Sequence, residues 1–126
     1  MKTVKNRTYL ITFCTMLFVA ASTLYGQTLR GRIEGTIKDP QGQVVPNTAI
    51  SVKNTATGES LTATSTNDGA FSVSEVKPGT YTITAELKGF KKSLVEGVVV
   101  QVGTVSSVMI QLEIGAINEE ITVSAE

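Results

Sequence analysis

Histidine and tryptophan are absent from the 126 residues, cysteine occurs once, proline three times, and neither charge sign prevails, with 11 Lys+Arg against 11 Asp+Glu. Without histidine, Ser-His-Asp and Cys-His sites are excluded, the commonest general base near neutral pH is missing, and no imidazole can hold a metal. Most hydrolytic and zinc chemistry is thereby set aside, and no cofactor or metal is expected. A net charge of zero offers no basic footprint for nucleic acid. The length allows one ordinary domain.

What is present begins with Lys2, Lys5 and Arg7, followed by an uncharged apolar run from Tyr9 to Ala21, then small and polar residues as far as Gly26 and Gln27. That order is a secretory signal peptide, and the run falls short of the roughly 20 apolar residues of a membrane span. Ala20-Ala21-Ser22 and Gly26-Gln27 are the two candidate cleavage points. Cys14 lies inside the apolar run without the small residues that precede a lipid-modified cysteine, so the exported chain holds no thiol and must be stabilised by packing. Loss of Lys2, Lys5 and Arg7 leaves eight basic against eleven acidic residues, a net charge of about −3. The expected location is exported: periplasmic, associated with an outer membrane, or secreted.

From Gly31 onward the pattern has a period of two, and Val, Ile and Thr make up roughly a third of the residues, as suits pleated, half-buried surfaces. The alternation is cleanest over Thr80–Leu87, where Tyr81, Ile83, Ala85 and Leu87 share one face. Further runs at Ile33–Lys38, Thr48–Asn54, Ser60–Thr66, Ala70–Val76, Lys91–Val95, Val98–Val102, Val105–Ile114 and Ile121–Val123 predict an all-β Greek-key sandwich of about seven to nine short strands. The expected core is Ile37, Val45, Ile50, Val52, Leu61, Phe71, Val73, Tyr81, Ile83, Leu87, Val108, Ile110 and Leu112. Asn67-Asp68-Gly69 reads as a hairpin turn and Lys77-Pro78-Gly79-Thr80 as a type II turn with Gly79 at positive φ. Gly58 closes the Thr55-Ala56-Thr57 turn in a left-handed conformation. In the loop after Asp39-Pro40, Val44 and Val45 are expected to plug the sandwich edge.

The succession Gly35-Thr36-Ile37-Lys38-Asp39, Gly42, Val45-Pro46-Asn47, then Asn67-Asp68-Gly69-Ala70-Phe71, Val76-Lys77-Pro78-Gly79-Thr80-Tyr81 and Lys88-Gly89-Phe90 resembles the carboxypeptidase regulatory-like domain family, over about Ile33 to Glu126. The resemblance implies a transthyretin-like, immunoglobulin-like β-sandwich. Its motifs are turns and core positions, so it speaks to fold more than to function. Such domains follow the catalytic domain of some metallocarboxypeptidases and also stand at the N-terminus of TonB-dependent outer-membrane receptors, where a segment similar to Gly115–Glu126 leads to the plug and barrel. About 100 residues cannot supply roughly 22 barrel strands of about 10 residues each, so this chain by itself is expected to transport nothing. It is not expected to be an enzyme, since the peptidase zinc ligands belong to a separate domain. The organisation expected is a signal peptide over 1–26, a sandwich over 27–114, and a tail or linker over 115–126 with a last short strand.

Four constellations compete with plain structural roles. Asn67-Asp68-Gly69 with Glu75 has oxygen ligands on a turn, but a calcium loop needs several carboxylates at alternate positions. Phe90, Lys91 and Lys92 are the candidate ligand contacts, set against a solvated strand start that guards a sheet edge. Sugar sites stack pyranose rings on Trp or Tyr, and the exported chain offers only Phe71, Tyr81 and Phe90. An internal isopeptide bond, as in pilin-type structural domains, would draw on Lys38 or Lys53, Asn118, and Glu75 or Glu86, and would require that they be buried together. The reading is a non-catalytic envelope interaction or spacer module, with carbohydrate binding and an isopeptide-stabilised adhesin as alternatives. Its partner is another envelope protein or the remainder of a receptor, with carbohydrate as a further candidate.

Overall fold

The period-two alternation is realised as strands because β-branched side chains pack well where alternate positions face opposite ways. The computed structural model describes residues 2–20, 29–116 and 118–125. Lys2–Ala20 form a helix, α1, and no helix among the described residues is long and apolar enough to cross a membrane. The two candidate cleavage points fall largely outside the described residues.

Eight strands follow among the described residues: β1 Gly31–Lys38, β2 Ala49–Asn54, β3 Ser60–Thr64, β4 Ala70–Val76, β5 Gly79–Glu86, β6 Lys92–Val100, β7 Val105–Gln111 and β8 Glu120–Ser124. They make two facing sheets, β4-β1-β7 and β3-β2-β5-β6-β8, the β-sandwich that the sequence predicts. β1 is the middle strand of the smaller sheet, antiparallel to β4 and parallel to β7. β8 runs parallel to β6, so the segment read as a tail or linker supplies a strand of the larger sheet. Five of the seven connections pass from one sheet to the other, which ties the layers together without a thiol.

Sixteen apolar side chains are buried between the sheets, with Ile33, Ile37, Val52, Ile83 and Leu112 fully enclosed. Burial of a side chain of that size stabilises the fold by roughly 1.5–3 kcal/mol. Three expected core residues are only half-buried, for positional reasons: Leu61 and Val108 lie on the edge strands β3 and β7, and Leu87 lies just past the end of β5. Ile33, Val76, Val95, Val98 and Val100 join the core unanticipated, and Ala85 lies in it beside Tyr81 and Ile83 as its alternation suggests. Of the two valines in the loop, Val45 is buried and Val44 is exposed. Gly35 falls between Ile33 and Ile37, and a Cβ there would overlap the Phe71 ring, so its bare backbone lets the ring lie over β1.

Several local expectations are corrected. The runs Lys91–Val95 and Val98–Val102 are one strand, because Tyr81 pairs with Val98 while Ile83 pairs with Val95, leaving an extra residue on β6 at a bulge. Gly97, at φ 75°, absorbs it. Asn67-Asp68-Gly69 makes a tight turn, with the Gly69 N–H donating to the Thr66 carbonyl at 2.8 Å. It is a corner between sheets and not a hairpin within one, since β3 and β4 belong to different layers. Gly69 has φ 70°, and a Cβ there would meet the Ile37 carbonyl oxygen at 2.7 Å. Pro78-Gly79 does not form a type II turn: Gly79, at φ 157°, already pairs with Val100 as the first residue of β5. The Lys77 carbonyl instead accepts the Tyr81 hydroxyl at 2.7 Å, a tyrosine corner. Gly58 does take the left-handed conformation, at φ 76°, with the Asn54 Oδ1 accepting from the Ala56 and Thr57 N–H groups.

One buried polar cluster stitches the loop before β2 to the end of β3. The Ser65 hydroxyl donates to the Val45 carbonyl and accepts from the Thr48 N–H, both at 2.9 Å. Beside it the Thr48 Oγ1 is buried with no hydrogen-bond partner. Ser65→Ala is expected to lower stability by about 2 kcal/mol by stranding two buried backbone groups, whereas Thr48→Val is expected to raise it by about 1 kcal/mol. Urea unfolding of both variants checks the pair.

Candidate functional site

Phe90, Lys91 and Lys92 lie where β6 begins, and the fold brings the C-terminal segment against all three. Phe90 is half-buried and bridges to Ile114. The Lys91 N–H donates to the Glu113 carbonyl at 2.7 Å and the Lys92 N–H to the Glu119 carbonyl at 2.8 Å. Successive side chains on a strand point to opposite faces, so the two ammonium groups reach different carboxylates. Lys91 Nζ lies 3.2 Å from Glu119 and 4.0 Å from Glu113, while Lys92 Nζ lies 3.2 Å from Glu86 and 3.9 Å from Glu120. Glu86, Lys92 and Glu120 thereby form a row across β5, β6 and β8. The basic spot suggested by the sequence is met by four carboxylates, and the edge it was read as guarding is covered by β8. Partly exposed pairs contribute about 0.2–1 kcal/mol each, so this cluster positions β8 more than it stabilises the whole.

The other sequence candidates are dispersed. Asn67 and Asp68 are exposed at one end of β4 and Glu75 stands at the other, about 20 Å away at roughly 3.3 Å per residue. No group of three or more His, Cys, Asp or Glu able to hold a metal occurs among the described residues. Lys53, Glu75 and Asn118 are exposed, Lys38 ends β1, and Glu86 is engaged by Lys92, so the isopeptide ingredients are not buried together. Phe71 and Tyr81 are buried in the core, which leaves half-buried Phe90 as the one partly accessible ring among the described residues of the sandwich.

An open hollow of about 800 Å³ lies on the smaller sheet. Glu34, Thr36, Thr66, Ser72, Ser107 and Met109 contribute to it. Glu34 faces Ser72 on β4 and Ser107 on β7 across the two ladders and is paired with Arg32 at 3.2 Å. Sequence reasoning missed this hollow because each hydroxyl taken alone is an ordinary wet-face residue, and only the pairing of β1 with two distant strands gathers them.

A second clamp joins the start of β3 to the connection before β5, where Lys77 Nζ lies 2.8 Å from Glu59 Oε2. The hydrogen bond from Lys77, and then its charge, hold the Glu59 carboxyl below its ordinary value. A depressed carboxylate contributes stability above its unfolded pKa, and that contribution is lost as pH falls through the folded value. Glu59→Gln should therefore match the parent chain below that window and fall slightly behind it at neutral pH, as thermal melts across pH will register. Lys92→Gln should speed amide exchange across Glu120–Ser124 while changing global stability by no more than about 1 kcal/mol. Hydrogen exchange by mass spectrometry checks this, and 0.5 M salt, at which the Debye length shrinks to about 4 Å, should act on the parent chain in the same direction.

Comparison with known proteins adds the remaining findings. No curated protein matches the sequence. Among solved structures, the TIE protein of Bacillus anthracis superposes with a TM-score of 0.59 at 15% identity, over 68% of this chain and 16% of that one. A protein of Bacteroides uniformis, provisionally named carbohydrate binding, gives 0.54 at 25% identity over 64% of this chain and 40% of its own. A protein of Pseudomonas aeruginosa with the same provisional name gives 0.51 at 19% identity, over 73% and 93%. The first two are much longer than the region they share with this chain, and the first and third likenesses speak to fold alone. Residues 32–113 match the family model that spans β1 to the residues just after β7, and the chain belongs to the carboxypeptidase regulatory-like domain family.

Proposed function

We propose that this chain is an exported, non-catalytic interaction or spacer module of the cell envelope. The observation that carries the reading is how the sandwich uses its charges. Lys77, Lys91, Lys92 and Arg32 each pair with carboxylates of the same chain, while strand edges in both sheets stay open. Open edges recruit partners through backbone groups, a mode that needs no pocket and no catalytic side chain. The basic and apolar N-terminal residues support export. Membership of a regulatory-like family supports a role exerted on a larger assembly, such as a receptor to which the domain is joined.

The test is fractionation of native cells with intact mass. The expected result is an envelope or secreted species lacking about its first 22 or 26 residues, with no turnover of peptide or ester substrates by the purified protein. Cytoplasmic retention of the unprocessed chain, or measurable turnover, would overturn the proposal.

Carbohydrate binding is the second reading, favoured by the hydroxyl-rich hollow around Glu34 and by the name of one structural relative. It predicts saturable heat on titration with oligosaccharides, lost in Glu34→Ala.

A further inference from the structure

The two sheets are unequal, and the inequality leaves a site. β6 lies over β7 and β3 over β4, so β8, one strand beyond β6, has no strand of the smaller sheet opposite it. Its register sets Ile121 beside Ser93 and Val123 beside Val95. Ser93 and Val95 are buried and face inward, so Ile121 and Val123 belong to the same inner face. Val123 is nonetheless 51% exposed. Between this uncovered row and β7 runs a groove of about 410 Å³, floored by Val95 and walled by Val108 and Met109.

The β7 edge of that groove is chemically open. The Thr104 carbonyl accepts from the Arg32 N–H at 3.0 Å, and the Leu112 N–H donates to the Lys38 carbonyl at 2.8 Å. Even-numbered residues of β7 therefore turn their backbone groups toward β1. Val105, Ser107, Met109 and Gln111 turn theirs toward the free edge.

We propose that this groove accepts one extended peptide segment as a fourth strand of the smaller sheet. Its alternate side chains are apolar and turn onto Val108, Ile121 and Val123, and one flank carries lysine or arginine. The proposal rests on the interaction-module reading and gives that module its docking site. A second folded copy does not fit: pairing two β7 edges would set the partner's β6 where β8 already lies, because β6 overlies β7 in every copy. A lone strand fits, since strands lie about 4.8 Å apart within a sheet and sheets about 10 Å apart. One basic flank follows from the end of the groove beyond Gln111, where Glu113 and Glu119 outnumber Lys91. β8 lies beyond residues 32–113, so one wall of the groove is outside the region shared with the family.

The test uses the full exported chain and a labelled nine-residue peptide that alternates valine and threonine and ends in one lysine pair. Binding with a Kd of about 10 µM is expected, weakening as salt rises. Exchange of the β7 amides should slow while that of the β3 and β4 edges is unchanged. Ser107→Pro removes an edge-facing N–H without touching the β1 ladder and should abolish binding. Val123→Lys, at an exposed position, should weaken it about tenfold by lost apolar contact, in line with truncation of a central contact. No saturation at 1 mM peptide, equal binding by both variants, or protection confined to β3 and β4 would overturn the groove. So would concentration-dependent dimerisation blocked by Ser107→Pro, which would assign the edge to a second copy. Each of these outcomes leaves the broader module reading to stand or fall on fractionation and turnover.

Discussion

The burial of one row of side chains from each sheet against the other is the contact on which the rest of this protein depends. With no thiol in the sandwich, this burial and the five connections that cross between the sheets hold the layers face to face. β1 carries the centre of that contact in the smaller sheet. Ile33 and Ile37 are fully buried on it, and Gly35 between them makes room for the ring of Phe71. Because β1 pairs with β4 on one side and β7 on the other, a disturbance there reaches every strand of its sheet.

Charge plays a different part. The ionic contacts are partly exposed and individually weak, yet they are placed where strands from distant parts of the sequence meet. The row Glu86, Lys92, Glu120 lies across three strands, and Lys91 gathers the residues that precede β8. Such pairs set register and location, while the apolar interior sets stability. Salt therefore acts first on the attachment of β8 and pH on the clamp before β5, and both only weakly on the core.

Among the described residues the fold disperses the side chains that could carry chemistry. Inward positions are apolar, outward positions are mostly Ser, Thr and paired charges, and the conspicuous turns at Asn67-Asp68-Gly69 and Pro78-Gly79 serve the passage of the chain between layers. What remains available to a partner is shape and backbone: the shallow hollow on the smaller sheet and the free strand edges. Both depend on strand order, and neither belongs to a single motif.

The sequence by itself determined the fold class, the inward faces of the long strands and the family. A period of two states which residues share a face, and Gly and Pro mark where the chain must turn. Tyr81, Ile83 and Ala85 were legible from their alternation alone, as was the left-handed Gly58. Only the tertiary structure decided which strands lie at edges, and so left Leu61 and Val108 half-covered. It also joined two expected strands through a bulge at Gly97 and turned the Asn67–Gly69 turn into a corner between sheets. The fate of Lys91 and Lys92 was set in the same way. A local pattern cannot tell that carboxylates some 20 to 30 residues later will return alongside them, because strand pairing is a property of the whole chain and is written in no one segment.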